Sequence, residues 1–282
     1  MIFEENGESL SVRRSLLWVS GNNPANFSQT SGWGADVVTL DLEDTVHEEN
    51  KASARKIVRE ALHDCDFGRA ERWVRCNALN TAYYLRDLQE IVPALPDALR
   101  LPKCKTAEEV RFLDRLLSQI ELENGLEPGK TKLILNIENA LAVVHLFEIA
   151  TASPRIIGLV LGGEDFTKDL KIARPTRGLE LPLLFGRQQL ITVARATGIQ
   201  AFDPVFLDLE DLQGLREEAQ MAKELGMDGK NLHAPAQVPV VNEIFTPTPE
   251  EVDFALKAVR AYEDAARANR QAYVKGRFIC AP

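Results

Sequence analysis

The 282-residue chain contains no apolar run approaching the roughly 18 residues that a membrane span requires. Its first residues, MIFEENGESLS, are acidic and polar, without the basic-then-apolar order of a secretory leader. A membrane protein is therefore not expected, and residues 1–12 read as a flexible tail. The four cysteines, Cys65, Cys76, Cys104 and Cys280, include no close pair such as C-x-x-C. Neither a zinc site nor a disulfide framework is signalled, and a reduced cytoplasmic setting is expected. Basic residues are in the minority, 33 against 42 acidic, for a net charge of -9, which argues against nucleic acid as the main partner. There is no G-x-S-x-G elbow, no P-loop and no G-x-G-x-x-G, so serine hydrolase, nucleotide hydrolase and dinucleotide readings lack support. The histidines, His47, His63, His145 and His233, show no metal-ligand spacing. His63 and His145 read as surface or packing residues, and only His233 falls near a predicted strand end.

What the chain does have is a repeated unit. Eight short apolar runs recur: SLLWVSG, DVVTLDLE, RWVRCN, ALRLPK, KLILNIE, IIGLVLGG, AFDPVF and DGKNLHA. Several are continuously apolar, as suits strands buried on both faces of a parallel sheet. Most are separated by segments with helix signals, such as a capping box from Thr106 to Glu109 and Gly226 ending EEAQMAKELG. The economical fold is a (β/α)8 TIM barrel over residues 13–245, with a doubly wound open sheet as the alternative. A further capping box from Thr248 to Glu251, with Pro249 at the first helical position, predicts an added C-terminal helix and tail over residues 246–282.

Barrel enzymes assemble their sites where the strands end. Here the run ends carry Asp41, Glu43 and Asp44, then Arg75 and Asn77, then Lys103, Glu138, Glu164 with Asp165, and Asp203. Taken singly, each reads as a solvated strand end or a structural ion pair, but their agreement points to one charged mouth. Glu138 follows LNI and Asp165 follows LGG on neighbouring strands. Two such carboxylates can bind Mg²⁺, which prefers oxygen ligands and keeps positions for water or substrate. Gly162 and Gly163 would let a small oxygen-rich ligand approach the backbone closely. Arg75 offers a planar fork to a carboxylate or enolate oxygen, or else it pairs with Glu43 or Asp44. Lys103 and Arg14 suit the rim of the site and plain surface neutralisation equally well.

The ordered fragments RRSLLWVSGN, GADVVTLDLEDTV, VRCNAL, LPK, IENA, GGEDF, QAFDPVF, GMDGK and NEIFTPTPEEV resemble the citrate lyase β-subunit-like branch of the HpcH/HpaI aldolase superfamily. The resemblance spans roughly residues 13–282. It implies a Mg²⁺-dependent TIM barrel, trimeric or a dimer of trimers, that makes or breaks a carbon–carbon bond beside an acyl thioester. It further implies that Glu138 and Asp165 ligate the metal and that Arg75 binds substrate. Arg14, Glu138, Gly163 and Glu164 are expected as further substrate contacts. Two positions depart from the family pattern. KNLHAPAQ stands where relatives commonly read K-x-x-I-H-P-x-Q, which puts Ala234 at the usual histidine and His233 one residue early. GRFICAP resembles G-K-M-[VI]-D-x-P, with Cys280 at an aspartate that in several relatives reaches a neighbouring subunit's site as acid or base.

The expected activity is cleavage of a 3-hydroxyacyl thioester of the citryl or citramalyl type to an acetyl thioester and a 2-oxo acid, oxaloacetate or pyruvate. A water or Asp44 is the expected base where Cys280 cannot serve. The alternatives are a β subunit acting on an acyl-carrier-protein thioester beside other lyase subunits, a malyl-CoA-type lyase or thioesterase, and a free 2-oxo acid aldolase. From another class comes a thioester-binding or assembly protein that has lost turnover.

Overall fold

The computed structural model describes residues 11–175, 180–268 and 270–279. Eight parallel strands, β1 (Ser15–Ser20), β2 (Val37–Asp41), β3 (Glu71–Arg75), β4 (Ala98–Cys104), β5 (Lys132–Ile137), β6 (Ile156–Leu161), β7 (Gln200–Asp203) and β8 (Gly229–Leu232), pair in sequence order. Each of the eight apolar runs supplies one strand. The open-sheet alternative is excluded because β1 pairs with β8 as well as with β2, closing the barrel. Among the described residues, no helix is long and apolar enough to cross a membrane.

Side chains alternate across each strand, so one barrel strand serves two cores. Outward residues such as Val38, Leu40, Val74, Leu99, Leu135 and Leu159 pack beneath the helices in one large cluster. Inward residues Leu16, Val37, Trp73, Ala98, Ile134, Val160 and Phe202 form a second, smaller cluster, with Trp73 and Phe202 in edge-to-face contact. The next inward positions are polar: Thr39, Arg100, Asn136 and Asn231 hydrogen-bond to one another inside the barrel. An apolar plug thus sits below a polar layer, and the polar layer forms the floor under the carboxyl ends of the strands.

The helix signals behave as the sequence predicts. Thr106 accepts from Glu109 N–H and Glu109 reaches back to Thr106 N–H, closing a capping box on the helix Ala107–Glu123. Gly226 takes the left-handed conformation, φ 105°, that ends the helix Leu212–Leu225.

Contacts divide the chain into two compact units, residues 1–245 and 246–282. In the second, the Thr248 capping box starts the helix Pro249–Arg267. There follows an antiparallel hairpin of β9 (Ala272–Val274) and β10 (Arg277–Ile279), which the sequence reading treated simply as tail. Its two turn residues, Lys275 and Gly276, both have positive φ, as a primed two-residue turn requires. Cys280 and residues 1–10 lie outside the described residues.

Candidate active site at the carboxyl end of the barrel

Asp41 and Arg75 end adjacent strands as register partners. Arg75 Nε and Nη2 donate to the two Asp41 oxygens at 2.6 and 2.7 Å. Asp41 also accepts from the Glu43 and Thr45 N–H groups and from the Thr45 hydroxyl. Burial alone would raise the Asp41 carboxyl, but the Arg75 charge and these donors outweigh it and hold it at about 2. Burial likewise opposes the Arg75 charge, and the carboxylates of Asp41 and Glu43 more than restore it.

The remaining Arg75 nitrogen, Nη1, lies 3.0 Å from Glu43 Oε2, without hydrogen-bond alignment, and 3.5 Å from Asp44 Oδ2. Lys103 Nζ bridges the same two acids, at 2.8 Å from Glu43 and 3.2 Å from Asp44. Burial still pushes the Glu43 carboxyl up to about 7, with Asp44 and Glu138 adding to the rise against the pull of Arg75 and Lys103. Lys103 owes its place to local backbone. After Leu101 the register of β4 shifts, and Lys103 adopts φ 52°, which turns its N–H onto Glu138 Oε2 at 3.0 Å.

Glu138 follows β5 and is buried, with Asn136 Nδ2 donating to its other oxygen at 2.8 Å. Burial pushes its carboxyl upward, and the nearby Asp165 adds to that push. Asp165 lies in the first turn of the helix Gly163–Asp169, paired at 3.1 Å with Lys168. A Cβ on Gly162 would come within 2.3 Å of Glu138 Cγ and 2.8 Å of its Oε1, so only glycine lets β6 end against this carboxylate. Two cavities meet here. One, of about 330 Å³, is lined by Trp18, Asp44, Arg75, Arg100, Gly162, Gly163, Glu164 and His233 among others, and the second, of about 410 Å³, by Lys103, Lys105, Glu109 and Asn139 among others. Glu138, Asp165 and Lys168 line both.

This arrangement fits a hard divalent cation. Two carboxylates share one cavity wall, and a cation between them would offset the charge that burial and proximity disfavour. Among the described residues, no group of three or more His, Cys, Asp or Glu could hold a metal. The remaining ligands would therefore come from water or substrate, as Mg²⁺ commonly requires.

Most sequence-predicted residues meet at this mouth: Asp44, Arg75, Glu138, Gly163, Glu164 and Asp165 all line the smaller cavity. Glu164 pairs there with Arg174 Nη1 at 3.2 Å. His233, given little weight by the sequence, also lines it, and burial followed by Arg75 and Arg174 lowers its pKa.

Three expectations need correcting. Arg14 precedes β1 and binds Asp36, which precedes β2, so it sits at the amino end of the barrel, opposite the mouth, and is not a substrate contact. Asp203 follows the inward Phe202 by one residue and therefore faces outward, to Arg187 and Lys230, in a buried ion cluster beneath the helices. Asn77 turns to Asp87, which also binds Arg55, and is part of the packing.

Sequence reasoning missed Trp18, Arg100, Asn136, Asn231 and Arg174. The first four were legible in principle, because period-two counting through SLLWVSG, ALRLPK, LILNIE and KNLHA points each of them inward. The guanidinium carbons of Arg75 and Arg100 lie 4.4 and 3.9 Å from the Trp18 ring centroid.

Residues 14–235 match the family model described as HpcH/HpaI aldolase/citrate lyase. The chain is 43% identical over 254 residues to the citrate lyase subunit beta of Leuconostoc mesenteroides subsp. cremoris, covering 90% of this chain and 83% of that one. It is 32% identical over 268 residues to a (3S)-malyl-CoA thioesterase of Cereibacter sphaeroides, covering 94% and 89% respectively. Among solved structures, the CitE protein of Mycobacterium tuberculosis in complex with magnesium, acetoacetate and coenzyme A superposes with a TM-score of 0.75 at 29% identity, covering 96% of this chain and 94% of that one. The chain therefore belongs to the HpcH/HpaI aldolase/citrate lyase family and is an enzyme of the carbon–carbon lyase class.

Proposed function

We propose that the protein is a Mg²⁺-dependent lyase that cleaves a citryl-type 3-hydroxyacyl thioester to an acetyl thioester and oxaloacetate, with the citramalyl thioester and pyruvate as the near variant. The observation that carries this reading is the meeting of Glu138 and Asp165 in one cavity wall beside Arg75, in a chain 43% identical to a citrate lyase subunit beta. Glu138 and Asp165 would hold the cation. When bound, it supplies electrophilic stabilisation to the oxygens of the substrate's hydroxyl and carboxylate.

The chain's own residues do the rest. Asp44, half exposed on the cavity, accepts the hydroxyl proton as the carbon–carbon bond breaks, and the thioester enolate so released takes a proton at carbon to become the acetyl thioester. Arg75, held rigid by Asp41, directs Nη1 toward the acids of the mouth and steadies charge developing on oxygen. The larger cavity, flanked by Lys103 and Lys105, would receive the thioester arm of coenzyme A or of an acyl carrier protein. The chain would act as a homotrimer or a dimer of trimers, alone or beside other lyase subunits, in the cytoplasm.

A second reading has support in the resemblance to a (3S)-malyl-CoA thioesterase. Citryl, citramalyl and malyl thioesters are each incubated with the protein and Mg²⁺, and oxaloacetate, pyruvate, glyoxylate and free thiol are measured. Oxaloacetate without free thiol supports the lyase. Free thiol with intact malate supports the thioesterase, and no product from any thioester sinks both.

A further inference from the structure

Three cationic side chains line the smaller cavity: Arg75, Arg100 and Lys168. Arg75 is paired to Asp41, Glu43 and Asp44, and Lys168 to Asp165. Arg100 makes no ion pair with any described residue. It is fully buried on β4, and every acceptor it reaches is neutral: Asn136 Oδ1 at 3.1 and 3.3 Å, Thr39 Oγ1 at 3.3 Å and Asn231 Oδ1 at 2.9 Å. These bonds use four of its five N–H groups and leave one on Nη2.

A buried guanidinium without a counter-charge is costly, and the amides and the Trp18 ring compensate it only in part. Burial, and after it the neighbouring Arg75 charge, push it well below its ordinary pKa, the same deficit seen from the titration side. A chain of hydrogen bonds then fixes its distance from the proposed metal carboxylate. Asn136 accepts from Arg100 through Oδ1 and donates to Glu138 through Nδ2 at 2.8 Å, so one amide separates the two.

We infer that Arg100 is a specificity residue that receives a second carboxylate of the substrate, at the floor of the cavity and one side chain from Glu138. The ligand it selects is a short dicarboxylic 2-oxo acid, or the acyl group that yields one: one end lies at Glu138 and Asp165, and the other carboxylate descends to the Nη2 edge. A mono-acid such as pyruvate has nothing to place there. Arg75, the guanidinium expected from sequence to do this, has its fork closed on Asp41. This inference rests on the proposed lyase reading and narrows it toward oxaloacetate over pyruvate.

The test is equilibrium binding of oxaloacetate and of pyruvate to the full chain with saturating Mg²⁺, by calorimetry, for the wild type and Arg100→Met. The expected result is tighter binding of oxaloacetate by the wild type and its loss by 10-fold or more in the variant, with pyruvate affinity unchanged. Equal weakening of both acids, or oxaloacetate affinity unaltered by the substitution, overturns the inference while leaving the lyase reading in place. A wild type that binds neither acid overturns both. If the Met variant does not fold, Arg100→Lys is read by the same criteria, because a point charge cannot reproduce the Nη2 edge while it keeps the buried charge.

Discussion

Arg75 and Asp41 face each other as register partners on neighbouring strands, with two guanidinium nitrogens on two carboxylate oxygens at 2.6 and 2.7 Å. Both side chains are almost wholly buried. The pair is thus the rigid base on which the rest of the mouth is set: Glu43 and Asp44 approach the one remaining nitrogen.

Asp41→Asn leaves the Arg75 charge buried without its two-point partner. Breaking such a pair costs roughly 3–5 kcal/mol, and denaturant unfolding of the two proteins at neutral pH measures it. The acid limb gives a second check. The folded Asp41 carboxyl sits at about 2 against an ordinary value of 3.8. Its stabilising contribution is therefore present above 3.8 and is lost as the pH falls through about 2. The lowering amounts to roughly 2 kcal/mol. Unfolding free energies measured downward from pH 5 should show this loss in the wild type, and the part due to Asp41 should be missing in the Asn variant.

Arg75→Lys keeps one charge but cannot span Asp41, Glu43 and Asp44 together. Turnover of the cleaved thioester should drop on the order of 100-fold. A Lys variant with normal kcat and only a raised KM would confine Arg75 to binding.

Gly162→Ala tests how the carboxylate is seated. The new methyl would meet Glu138 Cγ at 2.3 Å, so Glu138 must swing away. Mg²⁺ affinity should fall at least 10-fold by titration calorimetry, with the circular dichroism spectrum retained. Glu138→Ala and Asp165→Ala should each do at least as much, and Mg²⁺ binding like the parent's in both would move the metal site elsewhere.

Asp203→Asn separates packing from chemistry. Asp203 accepts from Arg187 and Lys230 in a fully buried cluster that also holds Glu180 and Glu218. Removing its charge should cost roughly 3–5 kcal/mol of stability. Mg²⁺ affinity of the folded protein should not change.

The order of strands, their number, the helix caps at Thr106 and Thr248 and the clustering of acids after LNI and LGG were all legible in the chain. Each is a local matter: apolar runs of strand length, side chains that cap their own helix, and the rule that strand ends of one sense share one mouth. What the linear sequence left open was which way each strand-end residue points and what it meets. Asp203 and Glu138 look alike in sequence, yet one residue of parity turns Asp203 under the helices, while Glu138 lines the cavity. Arg14 looked like a site cation only because its position at the start of β1 had no end of the barrel attached to it. Arg75 and Arg100 are both arginines on inner strands. Pairing of the consecutive strands β2 and β3 sets three acids from the end of β2 against the first, whereas the closed barrel surrounds the second with neutral side chains, among them Asn136 from β5 and Asn231 from β8. Local patterning decided the elements. Pairing across the closed sheet decided which charges were cancelled and which one was left facing the cavity.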